Sequence, residues 1–287
     1  MTEPHPDAGA TSSTSTHEAS KIRAASADQQ GYIVIAPIAT VLEEPHCAAQ
    51  CVTEALYGEQ LDVIEHHEDW LSVILKRDSY RGFIKSTQIA PRPTGQEHST
   101  ASSHWVSVRS TLLFSEASEK SQVILRIPFG SELPLQSSTN NSFSKTACGH
   151  YVWTDHCLGI KQHYPADPIT LATSHFLGAP YRWGGRSPQG TDCSGLVQAL
   201  ARSQGIDIPR DSADQERYIA QQVPMESRRS FDLVYWPGHT GILLSAEKLL
   251  HATAFSMDCR IELLDAVLER AGPPSSVRRL FDVSQSR

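Results

Sequence analysis

A cysteine placed where a helix is about to begin constrains this chain more than any other feature. Residues 181–195 run from Tyr181-Arg182-Trp183-Gly184-Gly185 to Asp192-Cys193-Ser194-Gly195. Downstream, Leu196, Val197, Leu200 and Ala201 recur at helical spacing and Gly205 offers a stop. The spacing predicts an amphipathic helix from about Cys193 to Ser203, with Asp192 at its N-cap. Unpaired N–H groups and the positive end of the helix dipole favour negative charge in a first turn. Cys193 is therefore expected to have a lowered pKa and a raised thiolate fraction. A lone cysteine is more often a small buried hydrophobe, so the assignment depends on partners elsewhere.

A nucleophilic cysteine needs a base and a third group to orient that base. Two histidines fit. His239 follows the apolar run Leu233-Val234-Tyr235-Trp236 and the breaker pair Pro237-Gly238, and it opens a second run, Gly241-Ile242-Leu243-Leu244. His251 closes a third run, Leu249-Leu250-His251-Ala252, after the polar link Ser245-Ala246-Glu247-Lys248. The pattern predicts a hairpin with the two histidines on adjacent antiparallel strands. Taken singly, each histidine is more often a satisfied structural residue.

Together these residues resemble the NlpC/P60 cysteine peptidases, whose signature combines Tyr-x-Trp-Gly-Gly, Asp-Cys-Ser-Gly, a histidine before a Gly-Ile strand and a polar third residue. All four elements fall between about residues 165 and 265. The resemblance implies an α+β fold class, with a papain-like catalytic domain in which Cys193 is the nucleophile, His239 the base and His251 the residue orienting His239. It requires neither metal nor organic cofactor. Pro209-Arg210-Asp211-Ser212 is similar to the stretch that lines the substrate groove in this family. Arg210 is then a clamp for a substrate carboxylate, against the alternative of an ordinary ion pair worth at most about 1 kcal/mol. Tyr181, Ser194 and Ser212 are further expected substrate contacts. Asp192 serves either as the anion for a substrate amine or only as a helix cap.

The N-terminal half has the periodicity of short strands. Tyr32–Ile35, Gln60–Ile64, Trp70–Leu75 and Arg81–Ile84 alternate with turn-forming residues, which suggests a small all-β barrel, and a similar set follows from about 104 to 163. Tyr57-Gly58-Glu59-Gln60-Leu61 and Phe129-Gly130-Ser131-Glu132-Leu133 read as one turn used twice. Tandem barrels of this kind resemble the bacterial SH3-like domains that precede NlpC/P60 domains. By that resemblance Tyr80 and Glu44 reach the substrate, Glu44 as the partner of its amine. Their alternatives are a barrel aromatic and a solvated loop charge.

The expected organisation is a disordered polar tail over 1–29, SH3-like domains over 30–92 and 100–163, and the catalytic domain over 164–287. A net charge of −7 argues against a nucleic-acid partner. The chain shows neither a secretory signal nor a bilayer-length apolar run, so a cytoplasmic protein without a membrane partner is expected. Six cysteines are then expected to be reduced thiols, and Cys47 and Cys51 alone make only half a metal site. The resemblance implies hydrolysis of the γ-D-glutamyl to diamino-acid bond in short murein peptides, as in cell-wall recycling. The alternatives are an amidase or acyltransferase on another substrate, and a non-catalytic module that binds cell-wall fragments.

Overall fold

The computed structural model describes residues 31–92, 102–136 and 142–281, so the expected tail over 1–29 lies outside the described residues. The first strands form one antiparallel sheet of seven, in the order Cys51–Leu56, Ile38–Leu42, Arg81–Lys85, Trp70–Leu75, Gln60–His67, Tyr32–Val34 and Ile89–Pro91. Every one of these strands sends a side chain into a single core, among them Val34, Val41, Ala55, Leu61, Val73, Ile84 and Ile89. A sheet whose strands all feed one core must curl around it.

A second all-β unit follows. Four strands, Val123–Pro128, Ser110–Phe114, Tyr151–Trp153 and Phe143–Lys145, make one sheet, and Glu132–Leu135, Ser102–Val106 and Cys157–Gly159 make another. Between them lie Val106, Leu113, Ile127, Leu133 and Val152. The two units share a backbone pattern at a constant spacing in the chain. Gly58 N–H donates to Val34 O and Val34 N–H to Glu59 O, while Gly130 N–H donates to Val106 O and Val106 N–H to Ser131 O. Glu43 N–H donating to Gln50 O likewise recurs as Ser115 N–H to Gln122 O. Gly58 and Gly130 turn the chain with φ of 80° and 84°, a conformation a side chain would strain.

The C-terminal part is a six-stranded antiparallel sheet ordered Gln222–Val223, Ser276–Arg278, Leu233–Trp236, His239–Leu243, Lys248–Thr253 and Asp258–Leu263. The helix Cys193–Ser203 has the bounds its apolar spacing predicts, and Gly205 follows its C-cap in the left-handed region. It lays Leu196, Val197, Leu200 and Ala201 against Leu233, Tyr235, Ile242 and Leu250 of the sheet. Leu264 and Val267 of the helix Leu264–Ala271 cover the other face through Val234, Trp236, Leu243 and Leu249. This helix-on-sheet layering fixes the first turn of Cys193–Ser203 beside the start of the strand His239–Leu243. Among the described residues, no helix is long and apolar enough to cross a membrane.

Candidate active site

Asp192 caps the helix that begins with Cys193. Its Oδ1 accepts from Gly195 N–H at 2.7 Å, and its Oδ2 accepts from Gly184 N–H at 2.8 Å. One carboxylate thus ties the glycine turn 184–185 to the helix start. Cys193 is 6% exposed. Its sulfur lies 3.9 Å from Gly238 O and accepts from the N–H groups of Thr240 and Ser194. The expectation of a lowered thiol pKa is overturned. Burial, reinforced by the Asp192 carboxylate, pushes the thiol up to about 11 against the pull of those two N–H groups and Arg210. The resting group is a thiol.

The two histidines meet. His239 Nε2 and His251 Nδ1 are 2.8 Å apart, and His251, fully buried, places its Nε2 2.8 Å from Glu262 Oε2. Sheet register explains the alignment. Ile242 pairs with Leu250, which by continuation sets Gly241 opposite His251 and leaves His239 on the diagonal. Glycine is needed there, because a Cβ on Gly241 would sit 2.8 Å from the Cβ of His251. His251 in turn pairs with Arg260, leaving Glu262 on the next diagonal. His239, His251 and Glu262 therefore cross three strands on one face. Burial pulls the His239 imidazole down to about 4, with His251 and Arg270 adding to the effect and Glu262 opposing it. His251 is lowered as well, again chiefly by burial.

A cleft of about 360 Å³ opens onto Cys193. Tyr181, Trp183, Asp192, Ser194, Arg210, Asp211 and Ser212 line it from the C-terminal part, and Glu43, Gln50, Val52 and Tyr80 from the first barrel. Burial and the neighbouring Asp211 raise the Tyr80 phenol to about 12. Tyr80 donates its hydroxyl to Asp211 Oδ2 at 3.2 Å, so barrel and catalytic part meet over the cleft. Burial raises Asp211 too, against Arg210 and the Tyr80 hydrogen bond.

Two expected substrate contacts are corrected. The Arg210 fork is already full: Nη1 and Nη2 hold the two oxygens of Asp192, Nη1 also donates to Ser194 Oγ, and Nε donates to Thr53 Oγ1 of the first barrel. With no donor pair left for a substrate carboxylate, Arg210 is a buried strut. Asp192 is by the same bonds cap and counter-ion together. Glu44 is exposed and pairs with His46 at 3.0 Å, and its chain neighbour Glu43 lines the cleft instead. Sequence reasoning also passed over Glu262 and Asp211. Strand alternation through Arg260-Ile261-Glu262 is the signal that places Glu262 on the histidine face.

Residues 178–266 match the NlpC/P60 family, and residues 41–89 match the bacterial dipeptidyl-peptidase SH3 domain. Residues 178–266 are an NlpC/P60 domain. The gamma-D-glutamyl-L-lysine dipeptidyl-peptidase of Bacillus subtilis (strain 168) is 28% identical to the chain over 249 residues, 80% of this chain and 81% of that protein. Dipeptidyl-peptidase 6 of Lysinibacillus sphaericus is 27% identical over 252 residues, 81% of this chain and 91% of that protein. The crystal structure of an NlpC/P60 family protein from Bacillus cereus ATCC 10987 superposes with a TM-score of 0.75 at 21% identity, covering 87% of this chain and 99% of that one. The chain that carries this NlpC/P60 domain shares that fold and is a cysteine peptidase.

Proposed function

We propose that the protein hydrolyses the γ-D-glutamyl to diamino-acid bond of short murein peptides, with Cys193 as nucleophile, His239 as base and His251 holding His239. The observation that carries the reading is the buried Cys193 thiol, open to a cleft and set against Gly238 and Thr240, the residues that flank His239, whose ring is already hydrogen-bonded to His251 at 2.8 Å. The names of the similar proteins, one a gamma-D-glutamyl-L-lysine dipeptidyl-peptidase, support the substrate class.

The steps follow from the protonation states. Cys193 gives its proton to His239 as its sulfur forms a bond to the γ-carbonyl carbon, so neither charge is carried in the resting enzyme. Backbone N–H groups at the helix start stabilise the carbonyl oxygen as it becomes an anion. His239 returns the proton to the departing amine of the diamino acid. Water, deprotonated by His239, then cleaves the thioester and releases the glutamyl peptide.

The barrel side of the cleft supports selection for a short peptide with a free amine. Glu43 and Asp211 are the acidic groups lining it besides Asp192, whose charge Arg210 already answers. All six cysteines are free, which supports a reducing, cytoplasmic compartment and action on released peptides, as in recycling. The deciding experiment incubates the wild type and Cys193→Ala with L-Ala-γ-D-Glu-diaminopimelate and with its lysine counterpart, following release of the diamino acid by mass spectrometry. Release by the wild type alone supports both the reaction and the nucleophile. Binding without release from either protein overturns the peptidase reading in favour of a fragment-binding module.

A further inference from the structure

We propose that Glu262 is a positioning residue of this site: its carboxylate selects the tautomer of His251 and, through it, leaves Nδ1 of His239 bare to take the proton of Cys193. The inference rests on the peptidase reading above and names how its base is prepared.

Hydrogen bonding along the diagonal fixes where the protons sit. An ionised carboxylate only accepts, so the 2.8 Å contact between His251 Nε2 and Glu262 Oε2 requires the proton on Nε2. A neutral imidazole with Nε2–H has a bare Nδ1. That Nδ1 faces His239 Nε2 at 2.8 Å and must accept from it, which puts the single proton of neutral His239 on its Nε2. Nδ1 of His239 is then the free acceptor. The opposite tautomer of His251 would set a bare nitrogen against a carboxylate oxygen at 2.8 Å, and would turn His239 the wrong way round.

Glu262 is itself held in place. Arg270, near the C-terminus of the helix Leu264–Ala271, grips it with Nη1 to Oε1 at 3.1 Å and Nη2 to Oε2 at 3.0 Å. The guanidinium is seated 4.1 Å from the centre of the Phe255 ring. Arg270 keeps the Glu262 carboxyl below the usual carboxylate range, so it stays an acceptor through the pH range of activity. The charged groups that act on the histidine pair are Glu262, Arg260 and Asp258 of the strand Asp258–Leu263 and Arg270 of the helix. Among these, Glu262 is the group bonded to His251.

A purely structural Glu262–Arg270 pair would tie strand to helix and leave the chemistry alone. The test compares the full-length wild type with Glu262→Gln and Glu262→Asp. Gln keeps the shape and accepts either tautomer, so kcat is expected to fall about 10- to 100-fold with KM within about twofold, short of the ~10⁴-fold known where a carboxylate contacts the catalytic histidine itself. Removing the anion disfavours an imidazolium, so the acidic limb of kcat/KM is expected at lower pH. Asp restores part of kcat. Imidazole ¹⁵N shifts read the tautomers without any substrate: both histidines are expected as Nε2–H in the wild type, and as a mixture in Glu262→Gln. Alkylation of Cys193 by iodoacetamide, followed by mass spectrometry, is expected to slow about tenfold. The proposal is overturned by His251 protonated at Nδ1 in the wild type, or by Glu262→Gln with wild-type kcat and an unmoved acidic limb. Nε2–H tautomers and slowed alkylation in a protein that cleaves no murein peptide would uphold Glu262 and sink the substrate reading alone.

Discussion

Arg210 and Asp192 form a two-pronged ion pair, Nη2 to Oδ2 at 2.7 Å and Nη1 to Oδ1 at 3.0 Å, almost wholly out of solvent. Removing one partner strands the other charge in a buried site, a change that costs about 3–5 kcal/mol. Arg210→Ala is therefore expected to lower the urea midpoint sharply. A clamp on the substrate would behave differently: the variant would be as stable as the wild type and would show a raised KM. Urea titration followed by circular dichroism separates the two outcomes.

The error over Arg210 shows where the sequence stops being legible. Arg210 and Ser212 are neighbours in the chain, which invited a shared role, but the fork is filled from Asp192 and Thr53, whose approach depends on the tertiary fold. The helix Cys193–Ser203 and the strand Trp70–Leu75 were readable because cap and alternation are local signals. The strands Ile38–Leu42 and Cys51–Leu56 were not. In Cys51–Leu56 the alternation is masked by Thr53 and Glu54, polar residues buried because Arg210, Arg182 and Arg186 of the catalytic part reach across to them. The resemblance that singled out Cys193, His239 and His251 says nothing of Glu262, which only the register of the last hairpin aligns with them.

The buried histidines set a stability slope. His239, His251 and His175 are all lowered, chiefly by burial, His239 to about 4 from an ordinary value of 6.5. Between those values the unfolded chain binds protons that the folded one refuses, so stability falls as pH drops from about 6.5 towards 4. The lowered carboxyls Glu59 and Glu262 act in the same direction only below their unfolded value of 4.5. Thermal midpoints measured from pH 8 to pH 4 should decline through the upper window. His239→Gln should flatten that decline, and an unchanged slope in the variant would refute the assignment.

Tyr80 reaches from the first barrel to Asp211 through its hydroxyl at 3.2 Å. A hydrogen bond to a charged group contributes about 1.5–3 kcal/mol, and this one is partly open to solvent, so the lower end applies. Tyr80→Phe frees an acidic group that lines the cleft and loosens the barrel side of it. KM for the murein tripeptide is expected to rise about tenfold with kcat near wild type, and the thermal midpoint to fall by a few degrees. A loss confined to kcat would place Tyr80 with the reacting atoms instead.

Arg186 makes the catalytic part dependent on its barrels. It is 5% exposed and donates Nη1 to Glu54 O at 2.8 Å and to Glu59 Oε2 at 3.0 Å, both in the first barrel, while its Nε donates to Gln198 of the helix Cys193–Ser203. Glu59 also answers Arg202 at 3.5 Å, and Arg202 in turn bonds Glu132 of the second barrel at 2.9 Å. Cutting the chain before residue 164 would strip Arg186 and Arg202 of these acidic partners and Arg210 of Thr53, all beside the helix that carries Cys193. The fragment 164–287 is therefore expected to be expressed as aggregate, or to show helical far-ultraviolet dichroism without a cooperative thermal transition. In the full chain, Glu59→Gln leaves the arginines short of one buried charge and is expected to lower the thermal midpoint by several degrees. If the fragment instead unfolds cooperatively and cleaves murein peptides at the full-length rate, the barrels act on substrate choice alone and the buried charges between the parts contribute nothing to holding the active site.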